Sequence, residues 1–372
     1  MGLRESLKES GIKQTELASY LGLARSTVCG ICDGRFPVGR EDEIREKIES
    51  FLREKGIKVK VPFHRVKSDR EEAEAEDEEE EKRRVEMLNA NAKKHFGLFK
   101  DPFTDDIHDK GDVYLTDSLR YVSEYMFLAS KQAGMLAVIG ESGSGKSTLR
   151  KLLIDRINES GEKIKIIFPR TLDKTKLTAA AICDAIISDL SDERPRRTIE
   201  AKCRQVEKVL TESCRAGWSH VLMIEEAHDL SVQTLKYLKR FWEMEDGFRR
   251  LLGIVLIGQP ELKPLLDESR NWEAREVIRR MEIAELDPLA DVSEVRAYLQ
   301  LKMAKAGSAG DRIFAEDAYP AILDAMTRKT KSGHVTRFCY PLSVNNLVRR
   351  AMNAAADIYE PKVTAEIIKQ VI

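Results

Sequence analysis

The run Gly140-Glu141-Ser142-Gly143-Ser144-Gly145-Lys146-Ser147, followed by Thr148, satisfies G-x-x-x-x-G-K-[S/T]. It lies between an apolar run, Met135 to Ile139, and a segment with helical spacing, Lys146 to Asn158. That strand-loop-helix context is what a phosphate-binding loop demands. Glycines let the loop wrap closely, so that backbone N–H groups and the helix N-terminus face phosphates. Lys146 is then placed to reach the β- and γ-phosphates of ATP and Ser147 to hold Mg²⁺. The bland alternative is a Gly/Ser-rich surface turn. Further along, Val221-Leu-Met-Ile ends in the carboxylates Glu225 and Glu226. In a Walker B motif the first holds the metal through water and the second activates the attacking water. Glu225 stands where Asp is usual, which leaves metal geometry open, and paired acids at a helix N-cap are the alternative reading. The next apolar run, Gly253 to Ile257, leads to Gln259, the candidate sensor of the γ-phosphate. Arg275, Arg279 and Arg280 follow. Arg280, or failing it Arg279, is the candidate to reach a neighbouring subunit's γ-phosphate, a contribution of roughly 10³ to 10⁵ in rate where it occurs.

These groups need a scaffold, and the pattern around them supplies one. Short Ile/Val/Leu-rich runs at 135–139, 165–168, 221–224 and 253–257 alternate with helical segments, which is how buried parallel strands read. After Pro288 the strands are expected to stop, leaving helices over 291–305, 316–328, 343–358 and 364–371. The 372 residues suggest two or three domains. The expected division is 1–61, a small helical unit; 62–95, a charged acidic linker; 96–288, the nucleotide-binding core; and 289–372, a helical lid.

Charge is unevenly placed although the formal net is -1. Residues 1–61 carry 12 Lys/Arg against 10 Asp/Glu, and 69–86 carry 4 against 11. The acidic run has little to bury and reads as a solvated tether, or as a competitor of DNA for a basic surface. No stretch approaches the roughly 18 apolar residues that span a bilayer, and no signal peptide opens the chain, so the expected location is cytoplasmic. The six cysteines read as reduced thiols, and Cys29-x-x-Cys32 lacks a second Cys/His pair at zinc-finger spacing.

Residues 14–31, QTELASYLGLARSTVCGI, fit a helix-turn-helix. Apolar residues fall at Leu17, Leu21, Leu23, Val28 and Ile31, with small Ala18 at the crossing and Gly22 at the turn. Its second helix would present Arg25, Ser26, Thr27 and the nearby Arg35 to duplex DNA. A protein-docking domain uses the same core spacing. In the core, Arg170, Lys174 and Lys176 form the leading basic cluster for DNA, with Arg196 and Arg197, or Arg249 and Arg250, as alternatives.

Residues 96–359 resemble the ExeA/TnsC/MuB/IstB group of AAA+ ATPases. The resemblance rests on Phe96-Gly-Leu-Phe-Lys-Asp-Pro-Phe103, GESGSGKST, IEEAH, GQPEL, and Arg280-Met followed by Leu286-Asp-Pro-Leu289. It implies an α/β fold with the AAA+ strand order and a C-terminal helical lid, behind a small all-α domain. It also implies a homo-oligomer, ring or helical filament, with ATP at subunit interfaces. Where the ExeA-like pattern has Gly-x-Pro-Arg, this chain has Cys339-Tyr-Pro341-Leu342, so the sensor-2 arginine is missing and Arg337, Arg349 and Arg350 are the candidates to replace it. The leading functional expectation is a DNA-transposition ATPase that assembles on target DNA and recruits or activates a transposase. An ExeA-like secretion ATPase and an ATP-gated helix-turn-helix transcription regulator are the alternatives.

Overall fold

The computed structural model describes residues 7, 12–32, 41–55, 86–104, 107, 110–170, 177–329 and 335–372. The chain divides into two compact units, Met1–Arg84 and Val85–Ile372. In the first, α1 (Gln14–Leu21), α2 (Arg25–Cys32) and α3 (Glu41–Glu54) enclose their own core. Gly22 ends α1 at φ 64°, and the Gly22 and Leu23 N–H groups donate to the Ser19 and Ala18 carbonyls. This left-handed cap is one that glycine adopts without the Cβ penalty. Leu17, Ala18, Leu21, Val28 and Ile31 are buried against Ile44, Ile48 and Phe51, while Leu23 is only partly covered.

The second unit takes in residues that composition places in the linker. Asn89 caps the helix Ala90–His95 by accepting from Ala92 N, and its own N–H donates to Asn353 Oδ1 at 3.0 Å. Leu88 and Ala92 are buried there. Residues 62–85 of the expected linker lie outside the described residues.

The central elements are α4 (Asp117–Gln132), β1 (Met135–Ile139), α5 (Lys146–Ser160), β2 (Ile164–Ile167), α6 (Ala179–Leu190), α7 (Ile199–Arg215), β3 (Ser219–Ile224), α8 (Val232–Trp242), β4 (Glu245–Asp246), β5 (Arg249–Arg250), β6 (Gly253–Gly258) and β7 (Glu282–Glu285). Five strands form one parallel sheet in the order β2-β3-β6-β1-β7. Thr116, Thr178, Thr198 and Ser231 cap α4, α6, α7 and α8 with their hydroxyls. Leu119 and Met126 of α4 and Leu149 and Leu153 of α5 cover one face of the sheet. Ile182, Val206 and Leu235, from α6, α7 and α8, cover the other.

The lid comprises α9 (Val292–Lys305), α10 (Ala318–Ala325), β8 (Thr327–Lys329), β9 (Val335–Arg337), α11 (Pro341–Asp357) and α12 (Ala365–Gln370). The expectation that strands stop after Pro288 is corrected by the antiparallel pair β8–β9. β7 also escapes the apolar-run criterion, because at the sheet edge only its Ala284 is buried. Phe96, Leu98 and Phe103, expected with the nucleotide core, pack instead into the lid core with Leu289, Leu299 and Val348.

One buried group makes stability depend on pH. His220, at 1% exposure in β3, donates from Nδ1 to Leu251 O (3.2 Å) and accepts at Nε2 from the Ser213 hydroxyl (2.8 Å). Burial pushes its pKa down to about 4. The unfolded chain, with a histidine pKa near 6.5, therefore binds more protons between those values, and stability is complete above pH ~6.5 and lost as pH falls toward 4. We expect urea denaturation to show a loss of about 2 kcal/mol from this residue between pH 7 and pH 5. His220→Asn should remove that part of the slope, and an unchanged slope would contradict the assignment.

Candidate functional site

The phosphate-binding loop begins where β1 ends. Gly140 N donates to Gly258 O at 3.1 Å, tying the loop to β6. Gly143 and Gly145 sit at φ 74° and 105°, and Lys146 opens α5. Lys146 Nζ donates to the carbonyls of Gly140 (2.6 Å) and Glu141 (2.7 Å). Burial lowers its pKa, opposed by the nearby charges of Glu226, Glu141 and Glu261. Ser144 is buried and its hydroxyl has no hydrogen-bond partner among the described residues.

A cavity of about 370 Å³ runs along this loop, lined among others by Ser142 to Thr148, Glu226, Gln259 and the start of α11 at Pro341 and Leu342. Lys146, Glu226 and Gln259 thus meet on one cavity from the ends of β1, β3 and β6, which are neighbours in the sheet. Glu226 holds φ 52°, a left-handed conformation costly for a side-chain-bearing residue. His228 Nδ1 accepts from Gln259 N at 3.4 Å and lies 3.6 Å from Glu226 Oε2. One imidazole therefore spans the two strand ends.

Glu225 is placed differently. Its Oε2 accepts from Arg150 Nη1 of α5 at 2.7 Å, and Glu225 does not line the cavity. Ser147 and Thr148 do line it. Of the three arginines before β7, Arg279 is bound to Glu268, Arg275 lies over Trp272 at 4.0 Å, and Arg280 donates to Glu276 O with its guanidinium 6.0 Å from the Trp242 ring. The helix here is Arg275–Ile278, so Arg280 follows its cap rather than belonging to it.

Leu342 occupies the place of the missing arginine. Its N–H donates to Gly143 O at 3.4 Å, and a Cβ added to Gly143 would lie 2.1 Å from Leu342 Cβ. Arg349 is no replacement: it is buried, with Nε 3.3 Å from Asp101 Oδ2 and Nη2 donating to Phe103 O at 2.7 Å. Arg337 and Arg350 do not line the cavity either. Lys151 and Lys302 do, and neither was singled out from the sequence. Lys151 is close enough to the loop motif to have been found by helical spacing, whereas nothing local to Lys302 signals it.

Of the DNA candidates, Arg25 and Arg170 are exposed and Thr27 is half-buried. The Ser26 side chain, Arg35, Lys174 and Lys176 lie outside the described residues. The alternatives Arg249 and Arg250 brace the β4–β5 hairpin, Arg249 through the Cys214 and Trp218 carbonyls and Arg250 over Trp242 at 3.3 Å. Arg196 and Arg197 are exposed.

Residues 129–266 match the family model described as AAA domain. The fold is that of a P-loop AAA+ module. Cdc6p from Pyrobaculum aerophilum has a similar crystal structure, with a TM-score of 0.50 at 14% identity over 73% of this chain and 69% of that one. General secretion pathway protein A of Aeromonas hydrophila is 28% identical over 216 residues, 57% of this chain. The match spans 37% of that protein's length. Among the described residues no helix of the AAA+ module or of the N-terminal unit is long and apolar enough to cross a membrane.

Contact between the loop and the lid gives a stability test. Gly143→Ala meets both left-handed strain, worth about 1 to 3 kcal/mol, and the Leu342 side chain. Gly161→Ala, at φ 66° with open space around it, meets strain alone. Chemical denaturation should show the larger loss for Gly143→Ala, and calorimetry should show weakened ATP binding in that variant only. Equal losses would mean that Leu342 does not rest on the loop.

Proposed function

We propose that this chain is a Mg²⁺-dependent ATPase that assembles as a homo-oligomer on duplex DNA and recruits or activates a transposase there. The observation that carries the ATPase part is the convergence of Lys146, Glu226 and Gln259 on one cavity under the lid. Phosphate oxygens would draw the Lys146 ammonium from the carbonyls of Gly140 and Glu141, and the backbone of 140–147 would cradle them. Thr148 completes the cradle. Glu226 orients the attacking water and accepts its proton, and the Gln259 side-chain amide senses the γ-phosphate while the Gln259 backbone N–H is held by His228 Nδ1. Among the described residues no cluster of three or more His, Cys, Asp or Glu gathers for a metal. The hard oxygens of Ser147 and Glu225 suit Mg²⁺, which takes few protein ligands beside phosphates. Bound there it would neutralise charge on the β- and γ-oxygens. Glu225 would have to share its carboxylate with Arg150.

Arg280 is the group for a neighbour's γ-phosphate, since Arg279 is committed to Glu268. For DNA, the helix pair 14–21 and 25–32 would place Arg25, Ser26 and Thr27 against phosphates and base edges, with Arg35 beyond it as a further candidate, and Arg170, Lys174 and Lys176 would add a contact from the AAA+ module. The likeness to general secretion pathway protein A favours a second reading, a secretion ATPase with the same ATP chemistry. DNA binding separates the two readings.

Glu226→Gln keeps the shape of the side chain but cannot take the proton. With ATP it should form long-lived oligomers on nonspecific duplex DNA by sedimentation, while the wild type disperses as phosphate is released. A variant that stays monomeric with ATP and DNA would sink the assembly model. Arg280→Ala should bind ATP without hydrolysing it, and mixing it with Lys146→Ala, which should not bind ATP, should restore some turnover at mixed interfaces. No recovery would count against Arg280 acting in trans.

The full 372-residue chain should bind duplex DNA with an affinity that falls steeply with salt, because phosphate contacts release counterions. Arg25→Ala with Arg35→Ala should weaken that binding in a fluorescence anisotropy titration. Binding that is absent even at low salt would favour the secretion reading.

A further inference from the structure

The nucleotide cavity has two chemically different ends. At one, the loop residues 142–148 offer N–H groups, hydroxyls and the Lys146 ammonium. Away from the loop the lining is Ile107, Val113, Tyr114 and Tyr298, with Asp112 and Lys302 beside them. That part of the lining also contains a buried amide. Asn345 of α11 is 6% exposed and lines the cavity. It lies three residues beyond Leu342, which touches the loop, so it stands about 4.5 Å further along the helix axis, away from the phosphate cradle.

The orientation of this amide is set. Asn345 Oδ1 accepts a hydrogen bond from the Tyr298 hydroxyl at 2.7 Å in a buried contact. Tyr298 is itself held, 4% exposed, with its ring edge-on to Tyr114 at 6.2 Å and the Lys302 ammonium 5.8 Å from its ring centre. A carboxamide whose oxygen is engaged in this way can turn only its NH₂ toward the cavity, and Asn345 Nδ2 donates to no protein acceptor among the described residues. An acceptor on a ligand in the cavity would gain a hydrogen bond from this NH₂.

We infer that Asn345 reads the base of the bound nucleotide. Its NH₂ donates to an unprotonated ring nitrogen of adenine while Tyr114 and Tyr298 wall the ring. Tyr298 is the positioning residue, because its hydroxyl decides which end of the amide faces the base. The inference rests on the ATP reading proposed above and adds to it the part of the site that selects the base.

The test measures binding of ATP, 1-deaza-ATP, 3-deaza-ATP and 7-deaza-ATP to the full chain by calorimetry. Each analogue replaces one ring nitrogen by C–H and leaves the triphosphate intact. One of the three should bind the wild type about tenfold more weakly than ATP, the worth of one hydrogen bond, and the other two should match ATP. Asn345→Leu, close in size and without a donor, should bind ATP and that one analogue equally. Tyr298→Phe should shrink the discrimination by freeing the amide to rotate, a change that a merely structural hydroxyl would not produce. Equal binding of all four nucleotides by the wild type, or discrimination that survives Asn345→Leu, overturns the inference while leaving ATP binding in place. Failure of the wild type to bind any of the four would remove the ATP reading and the inference with it.

Discussion

Burial of β1 on both faces and both edges is the constraint from which the rest follows. All five of its residues, Met135 to Ile139, are buried, with β6 on one side and β7 on the other. Each of the four larger side chains, Met135, Leu136, Val138 and Ile139, contributes about 1.5 to 3 kcal/mol on burial, so the strand cannot shift without large loss. The chain leaves β1 for β2 at the far edge of the sheet, while the chain leaving β6 crosses to β7 on the other side of β1. The two connections run in opposite directions on opposite faces of the sheet, with Leu149 and Leu153 on one and Leu262 and Val277 on the other, and the loops gather at the C-terminal ends of the central strands between them. Residues that follow β1, β3 and β6 therefore meet there, whatever their distance in sequence.

The lid closes that crevice with apolar contact where the resemblance leads one to expect a cation. Leu342 rests on Gly143, and the Arg349 guanidinium, one and a half to two turns further along α11, is spent on Asp101 and Phe103. That pair is buried on both sides, with side-chain exposures of 10% and 12%. Removing one partner would strand a charge in the lid core, which is why the pair holds the segment after Phe96 to the lid. Positive charge at the cavity comes instead from Lys146 and Lys151 on α5 and from Lys302 on the lid.

The carboxylates after β3 divide into two roles that their adjacency hides. Glu226 is thrown into the left-handed region and faces the cavity, whereas Glu225 turns to Arg150 on the helix that carries the phosphate loop. A strand end reverses side-chain direction from one residue to the next, so neighbouring acids need not share a task. The ion pair couples β3 to α5 beside the loop 140–148. The transposition and secretion readings share the proposed ATP chemistry and differ in DNA binding.

Local physics determined what the sequence could disclose alone. The loop 140–148 is legible because closely spaced glycines, a lysine and a hydroxyl between strand and helix have few other uses. The buried parallel strands are legible as apolar runs, and Leu17, Ala18, Leu21, Val28 and Ile31 as one helical core. The tertiary structure decided what depends on distant partners. β7 is a strand because β1 offers it an edge, not because Glu282-Ile-Ala-Glu285 favours one. Residues 86–103 join the lid because α11 and its neighbours supply the apolar surface they cover. Tyr298 and Asn345 are 47 residues apart, and Arg349 and Phe103 are 246 apart. No spacing rule reaches such pairs, since packing of whole elements, rather than the period of any one of them, brings the groups within hydrogen-bond distance.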